Sequence, residues 1–179
     1  MRQVPLEESV VLVDEDDKDI GVMEKLEAHR KGVLHRAFSV FIFNDRDELI
    51  LQRRAPGKYH SAGLWTNTCC GHPRPGEVLM AAAQRRLKEE MGIACELEHR
   101  FAFAYSANVG NGLSEKEYDH VFTGHYSGTP EPDPEEADAW RWITLDALEL
   151  EMAMEPLRFT PWLHACIARV ARRDRPSAA

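Results

Sequence analysis

The sequence predicts a single α+β domain with more strands than helices. Three observations carry this: a β-branched and aromatic run at 35–43, apolar residues spaced by three and four at 80–91, and a Thr-Pro pair at 160–161. From the start of the chain, Ser9–Val13 reads as a short first strand, closed by the acidic turn Asp14-Glu15-Asp16-Asp17. His35–Phe43 is the strongest strand signal. Asn44-Asp45-Arg46-Asp47 supplies turn residues and Leu49-Ile50-Leu51 a returning strand, so a hairpin is predicted. Met80, Ala83, Leu87 and Met91 then fall on one face of a helix over 77–91, which Gly92 stops. Further strands are predicted around 101–105, 117–126 and 139–143. A last helix begins near Thr160-Pro161, where Thr can cap and Pro suits the first helical position.

The chain of 179 residues suits one domain, predicted over 1–171, with a basic and then Pro-Ser-Ala-Ala tail at 172–179 expected to be disordered. A hydrophobic share of 44% and a charged share of 29% are those of an ordinary globular protein. No run of about 18 apolar residues is present to span a bilayer. Met1-Arg2-Gln3 and Glu7-Glu8 lack the apolar stretch of a signal peptide. Cys69, Cys70, Cys95 and Cys166 match neither a disulfide framework nor a zinc spacing, so a cytoplasmic protein is expected. A formal net charge of −8 opposes nonspecific binding to nucleic acid or acidic membrane, and neither partner is expected. A small anion held by local lysines and arginines remains compatible with that charge.

Within the predicted helix, Gly71, Glu77, Arg85-Arg86-Leu87, Glu89-Glu90 and Gly92-Ile93 form a spaced pattern. It resembles the Nudix box, a loop–helix–loop of glycine, glutamate and then Arg-Glu-aliphatic-x-Glu-Glu-x-Gly-aliphatic. The resemblance implies a Nudix fold: a mixed sheet core flanked by helices. It departs at one position, where Arg86 stands in place of a glutamate that helps Nudix hydrolases gather metal. Residues four apart share a helix face, so Arg86 neighbours Glu90. A cation there opposes metal-assisted hydrolysis.

Other segments point the same way. Thr66-Asn67-Thr68-Cys69-Cys70-Gly71-His72-Pro73 resembles a segment of the type 1 isopentenyl diphosphate isomerases, which share the Nudix fold. Leu34-His35-Arg36-Ala37-Phe38, Gln52-Arg53-Arg54-Ala55, Ser114-Glu115-Lys116-Glu117 and Phe159-Thr160-Pro161-Trp162 resemble the same family, as do Glu24-Lys25 and His29. The resemblance implies interconversion of isopentenyl and dimethylallyl diphosphate in isoprenoid biosynthesis, without hydrolysis. It implies one metal, Mn²⁺ or Zn²⁺, held by His29, His35, His72, Glu115 and Glu117, with an N-terminal extension completing that site. Such nitrogen and oxygen donors suit Mn, Zn or Fe-type ions. Glu115 and Glu117 differ by two, so an extended strand points both to one face, where they repel unless a cation intervenes.

Mg²⁺ on Glu90 and the diphosphate is implied in the same way, with Lys25, Arg54, Lys58 and Arg86 as phosphate contacts. Moving the double bond needs an acid on one face of the alkene and a base on the other. By resemblance these are Cys70 and Glu117, with Tyr105 aiding proton delivery and Trp162 facing a carbocation. His60, His99, His120, His125 and His164 match no motif and read as surface or core-edge imidazoles. Arg53 and Arg85 read as salt-bridged surface groups, Cys95 and Cys166 as packing, and Trp65, Trp140 and Trp142 as core. The expected partner is a small-molecule substrate, for a monomer or weak homodimer. Two rivals stand beside the isomerase: a Nudix pyrophosphohydrolase, for which Glu77, Glu89 and Glu90 speak, and a catalytically silent metal-binding module.

Overall fold

The computed structural model describes residues 8–174. In chain order its elements are β1 (Ser9–Val13), β2 (Asp19–Glu24), α1 (Lys25–Lys31), β3 (His35–Phe43), β4 (Glu48–Arg54), β5 (Trp65–Thr66), β6 (Cys69–Gly71), α2 (Leu79–Met91), β7 (Leu97–Gly110), β8 (Leu113–His125), β9 (Ala137–Thr144), α3 (Leu145–Met154) and α4 (Pro161–Asp174). The α+β class and each predicted strand are present. Several elements start or extend differently: α2 begins at Leu79, the strand expected at 101–105 runs over Leu97–Gly110, and the one expected at 117–126 begins at Leu113.

β3 organises the sheet. Along one edge it pairs in parallel with β8, from His35 opposite Glu117 to Phe43 opposite His125. Along the other edge it meets β1 at His35, β6 at residues 38–40 and β4 at Phe43. Directly paired residues share a face. His35, Ser39, Cys70 and Glu117 therefore lie on one face, joined by Glu115 and Asp119 through the two-residue period of β8.

Two apolar layers cover the sheet. On the face of Phe41, Phe43 and Val121, α3 and α4 bury Leu148, Met152, Leu163, Cys166, Ile167 and Val170. On the opposite face, α2 packs Ala82, Ala83, Leu87 and Met91 against Phe38, Val40, Ile42 and Phe122. Burying side chains of this size stabilises by roughly 1.5–3 kcal/mol each. Met80, expected on the buried face, only half-buries; Ala82 takes the deeper position. Trp65, Trp140 and Trp142 pack at the edges of these layers rather than inside them.

Five elements, β2, α1, β5, β6 and α3, were not predicted. Of these, β2 and α1 precede the central strand, and β2 hid its signal because Ile20 and Val22 face outward. Helix α1 is a short helix without a periodic apolar stripe, but both ends are fixed locally. The Glu24 carboxylate accepts from the Leu26 and Glu27 amides at 2.8 Å each, and Gly32 closes it at φ 59°. Helix α4 runs on to Asp174, past Arg172 where a loose tail was predicted, because Arg172 and Arg173 are good helix formers. The rest of that tail, like the N-terminal Met1-Arg2-Gln3, lies outside the described residues.

Candidate active site

Beside β6 opens a cavity of about 290 Å³, lined by Lys25, Arg54, Lys58, Tyr59, His60, Cys70, His72, Arg86, Glu90, Glu115, Glu117 and Trp162, among others. It brings together side chains from α1, the segment after β4, β6, α2, β8 and α4. Its floor is a row of histidines and glutamates. His29 donates from Nδ1 to the Lys25 carbonyl at 2.6 Å, and His35 from Nδ1 to the Val33 carbonyl at 2.8 Å. Those bonds leave each Nε2 with a bare lone pair, and both Nε2 atoms are buried without a hydrogen-bond partner. They look onto carboxylate oxygens instead: His29 onto Glu115 at 3.9 Å and His35 onto Glu117 at 3.6 Å. Lone pairs facing carboxylates repel, and a cation between them removes the conflict. The residues present therefore fit a divalent metal.

The five expected ligands do not all converge. Ligand atoms of His29, His35, His72 and Glu117 lie within 4.8 Å of one another, whereas Glu115 groups with His29 and His60. His72 Nε2 is 2.9 Å from Glu117 Oε1. Tyr105 spans the two glutamates, its hydroxyl 2.8 Å from Glu115 Oε2 and 2.5 Å from Glu117 Oε2. Burial and the Glu117 charge push the Glu115 carboxyl well above its ordinary range. Burial also lowers His60 and His72 to about 3, keeping both rings neutral.

Cys70 occupies the upper wall. A buried polar ladder places it: Asn67 Nδ2 donates to the carbonyls of Val40 and Cys69, and Thr68 Oγ1 donates to the Ile50 carbonyl. The Cys70 thiol in turn donates to Asn67 Oδ1 at 3.1 Å. Burial raises its pKa well above the usual thiol value, so it carries its proton. Cys69, one residue earlier, turns to the opposite face and is wholly enclosed against α2. Trp162 forms another wall, its indole N–H donating to Thr66 Oγ1 at 2.7 Å.

The cationic end comprises Lys25, Arg54, Lys58 and Arg86. Arg86 reaches Glu90 at 2.5 Å, Glu89 at 2.8 Å and Glu136 at 3.1 Å, and Lys58 pairs with Glu136. Burial and the Arg86 charge lower the pKa of Lys25. Gly71 makes room for Arg86: a Cβ there would meet the Phe38 ring at 2.9 Å and the Arg86 stem at 3.3 Å. Glu90, the expected Mg²⁺ ligand, accepts from Arg86 and from Gln52 Nε2 at 2.9 Å. No cluster of ligand atoms among the described residues includes it.

A NUDIX domain model matches residues 33–163. Over 165 residues the chain is 55% identical to the isopentenyl-diphosphate Delta-isomerase 1 of Aromatoleum aromaticum, covering 92% of this chain and 93% of that relative. It is 53% identical over 164 residues to the isopentenyl-diphosphate Delta-isomerase of Burkholderia multivorans, with 92% and 93% covered. The chain belongs to the isopentenyl-diphosphate Delta-isomerase family.

Solved structures add the fold. A crystal structure from Deinococcus radiodurans superposes with a TM-score of 0.76 at 21% identity, covering 94% of this chain and 100% of that one. A MutT protein from Methanosarcina mazei gives 0.66 at 20% identity, over 80% and 96%. Ahead of the NUDIX match, α1 carries Lys25 to the cavity and His29 to the histidine–glutamate cluster beside it. Every site residue expected by resemblance lies in or against this cavity or that cluster.

Of the two readings for His60, surface or core-edge, the structure shows the second: it is 5% exposed, and its Nε2 lies 3.2 Å from Glu115, a contact that no motif announced. Glu136, Tyr59 and Asp119 were also missed. Asp119 sits under the thiol wall, accepting from Ser39 Oγ at 2.9 Å and from the Cys166 thiol at 3.4 Å. Burial, reinforced by the Glu117 charge, lifts its pKa to about 7. Its place two residues after Glu117 was a signal available in the sequence. Arg53 and Arg85 behave as predicted, pairing with Asp138 and with Glu77 and Glu89.

Proposed function

We propose that this chain interconverts isopentenyl and dimethylallyl diphosphate, with Cys70 and the Tyr105–Glu117 pair as its two proton-handling groups. The supporting observation is that Cys70 and Glu117 line one cavity, the thiol from β6 and the carboxylate from β8. The Cys70 thiol gives a proton to the terminal methylene carbon. The double-bond electrons form the new C–H bond and leave a tertiary cation. Glu117, hydrogen-bonded to Tyr105, takes a proton from the carbon nearer the diphosphate, and those electrons close the new double bond. In reverse the two groups exchange roles. Trp162, fixed by Thr66, offers a π-face worth ~2 kcal/mol to the cation and no lone pair to capture it.

His29, His35, His72, Glu115 and Glu117 would hold one Mn²⁺ or Zn²⁺. Such an ion supplies positive charge that keeps adjoining carboxylates ionised and orients them. Mg²⁺ would bind through Glu90 with phosphate oxygens completing its shell, as Mg²⁺ often does. Lys25, Arg54, Lys58 and Arg86 hold the diphosphate, the arginines by their two-pronged fork. The four cysteines are unpaired, which suits a reducing cytoplasm. A hydrolase reading is weaker, because Glu77, Glu89 and Glu90 are each already engaged by Arg85 or Arg86.

The test is to incubate the protein with isopentenyl diphosphate and Mg²⁺ plus Mn²⁺, following dimethylallyl diphosphate and free phosphate together. Allylic product without phosphate is expected. Phosphate release with no allylic product would overturn the proposal.

A further inference from the structure

We propose that His60 is a positioning residue of the metal centre, holding Glu115 in place for the ion; this rests on reading the histidine–glutamate cluster as a metal site. No motif of the sequence includes His60, and the ligand set implied by family resemblance omits it. The segment that carries it, between β4 and β5, is built rather than loose. Arg54 donates from its side chain to the His60 carbonyl at 3.2 Å, and from its backbone N–H to the Leu64 carbonyl at 2.9 Å. The ring lies edge-on to Tyr59 at 4.4 Å and to Trp162 at 5.8 Å, so its orientation is set from two sides.

The nitrogens are then assigned by their neighbours. Nδ1 is 3.4 Å from Ser61 Oγ, whose hydroxyl can donate to it. The proton then sits on Nε2, the atom 3.2 Å from Glu115 Oε1. Tyr105 holds the other oxygen, Oε2. Glu115 is therefore gripped at both oxygens, by a phenol and an imidazole. Outer groups of this kind fix the direction of a ligating carboxylate. Direct ligation by His60 is disfavoured, because the Nε2 that faces the cluster carries the proton directed at Glu115 and Nδ1 faces Ser61.

The experiment measures Mn²⁺ binding by the full chain in wild type, His60→Ala, His60→Gln and His35→Ala. Electron paramagnetic resonance counts the coupled imidazole nitrogens, and thermal unfolding checks the fold. His60→Ala is expected to weaken Mn²⁺ binding roughly 10–100-fold. Gln, which keeps a donor and much of the volume, should recover part of that loss. The number of coupled imidazoles should not change in either variant. Wild-type affinity in both His60 variants overturns the inference, and so does loss of one imidazole signal, which would make His60 a ligand itself. Should His60→Ala fail to fold, His60→Gln carries the test: affinity below wild type with an unchanged imidazole count supports the inference. Failure of the underlying metal site reads differently: wild type would bind no Mn²⁺, or His35→Ala would change nothing.

Discussion

Two sets of glutamates face the same cavity and have opposite fates. On α2, Glu89 and Glu90 are neutralised within the protein by Arg85 and Arg86. On β8, Glu115 and Glu117 face the uncharged Nε2 atoms of His29 and His35, which have no hydrogen-bond partner. The first set is electrostatically complete; the second is complete only with a cation. A single residue accounts for much of the contrast: Arg86 stands where the hydrolase pattern has a carboxylate. Under the proposed function, the helix that gathers metal for cleavage in the hydrolase pattern instead offers a guanidinium to the diphosphate. The unmet demand for a cation among the protein's own side chains lies on the strand.

The contrast predicts that the β8 side is intolerant of change and the α2 side graded. The largest effect is expected at Cys70, whose thiol shares the β8 face of the sheet. Cys70→Ala should abolish dimethylallyl product, while Cys69→Ala, on the α2 face, should lose stability but keep most turnover. Equal activity losses in two folded variants would break the distinction. Next, His35→Ala should strip metal from the purified protein, read by elemental analysis, and Mn²⁺ should restore little activity. Retained metal at wild-type occupancy would place the binding site elsewhere.

On the α2 side the effect should be smaller and confined to substrate binding. Arg86→Ala removes a charge-assisted hydrogen bond worth on the order of 1.5–3 kcal/mol. That corresponds to a roughly ten- to hundredfold rise in KM for isopentenyl diphosphate. Lys should rescue part of it. Arg86→Glu rebuilds the hydrolase pattern, and should lose isomerisation while gaining little phosphate release. Strong hydrolysis by that variant would show that Arg86 alone separates the two chemistries.

The smallest effect concerns Asp119 in metal-free protein. Its carboxyl is raised from 3.8 to about 7 in the fold, so the folded state binds the extra proton between those values. Its contribution is fully present below about pH 4 and is lost as pH rises through 7. Asp119→Asn should flatten that decline in denaturant titrations run from pH 5 to 8. An unchanged slope would show that Asp119 does not keep its proton.

The sequence exposed what local chemistry dictates. The aromatic and β-branched run at His35–Phe43 announced the central strand, and the box with its glycines announced α2. Cys70, His72, Glu115 and Glu117 were legible because they sit in motifs, and Glu115 and Glu117 also because a two-residue period aligns them. The rest depended on tertiary geometry. His60 belongs to a segment with no periodicity, and only the fold brings it within 3.2 Å of a carboxylate more than fifty positions away. The convergence of Arg86 and Lys58 on Glu136 is likewise a long-range event. Helix α1 escaped because its stop and start are set by Glu24 and Gly32 rather than by an apolar stripe.

Gly71 has a further consequence through its neighbour. The thiol of Cys70 and the bare Cα over which the Arg86 stem lies belong to consecutive residues of one strand. Under the proposed function, the proton donor and the stem of the diphosphate anchor would therefore meet across a single peptide unit of the strand. That unit acts as a ruler. On that reading it would register the reacting carbon against the phosphates, and a substrate with its double bond one carbon further out would present the wrong atom to the thiol.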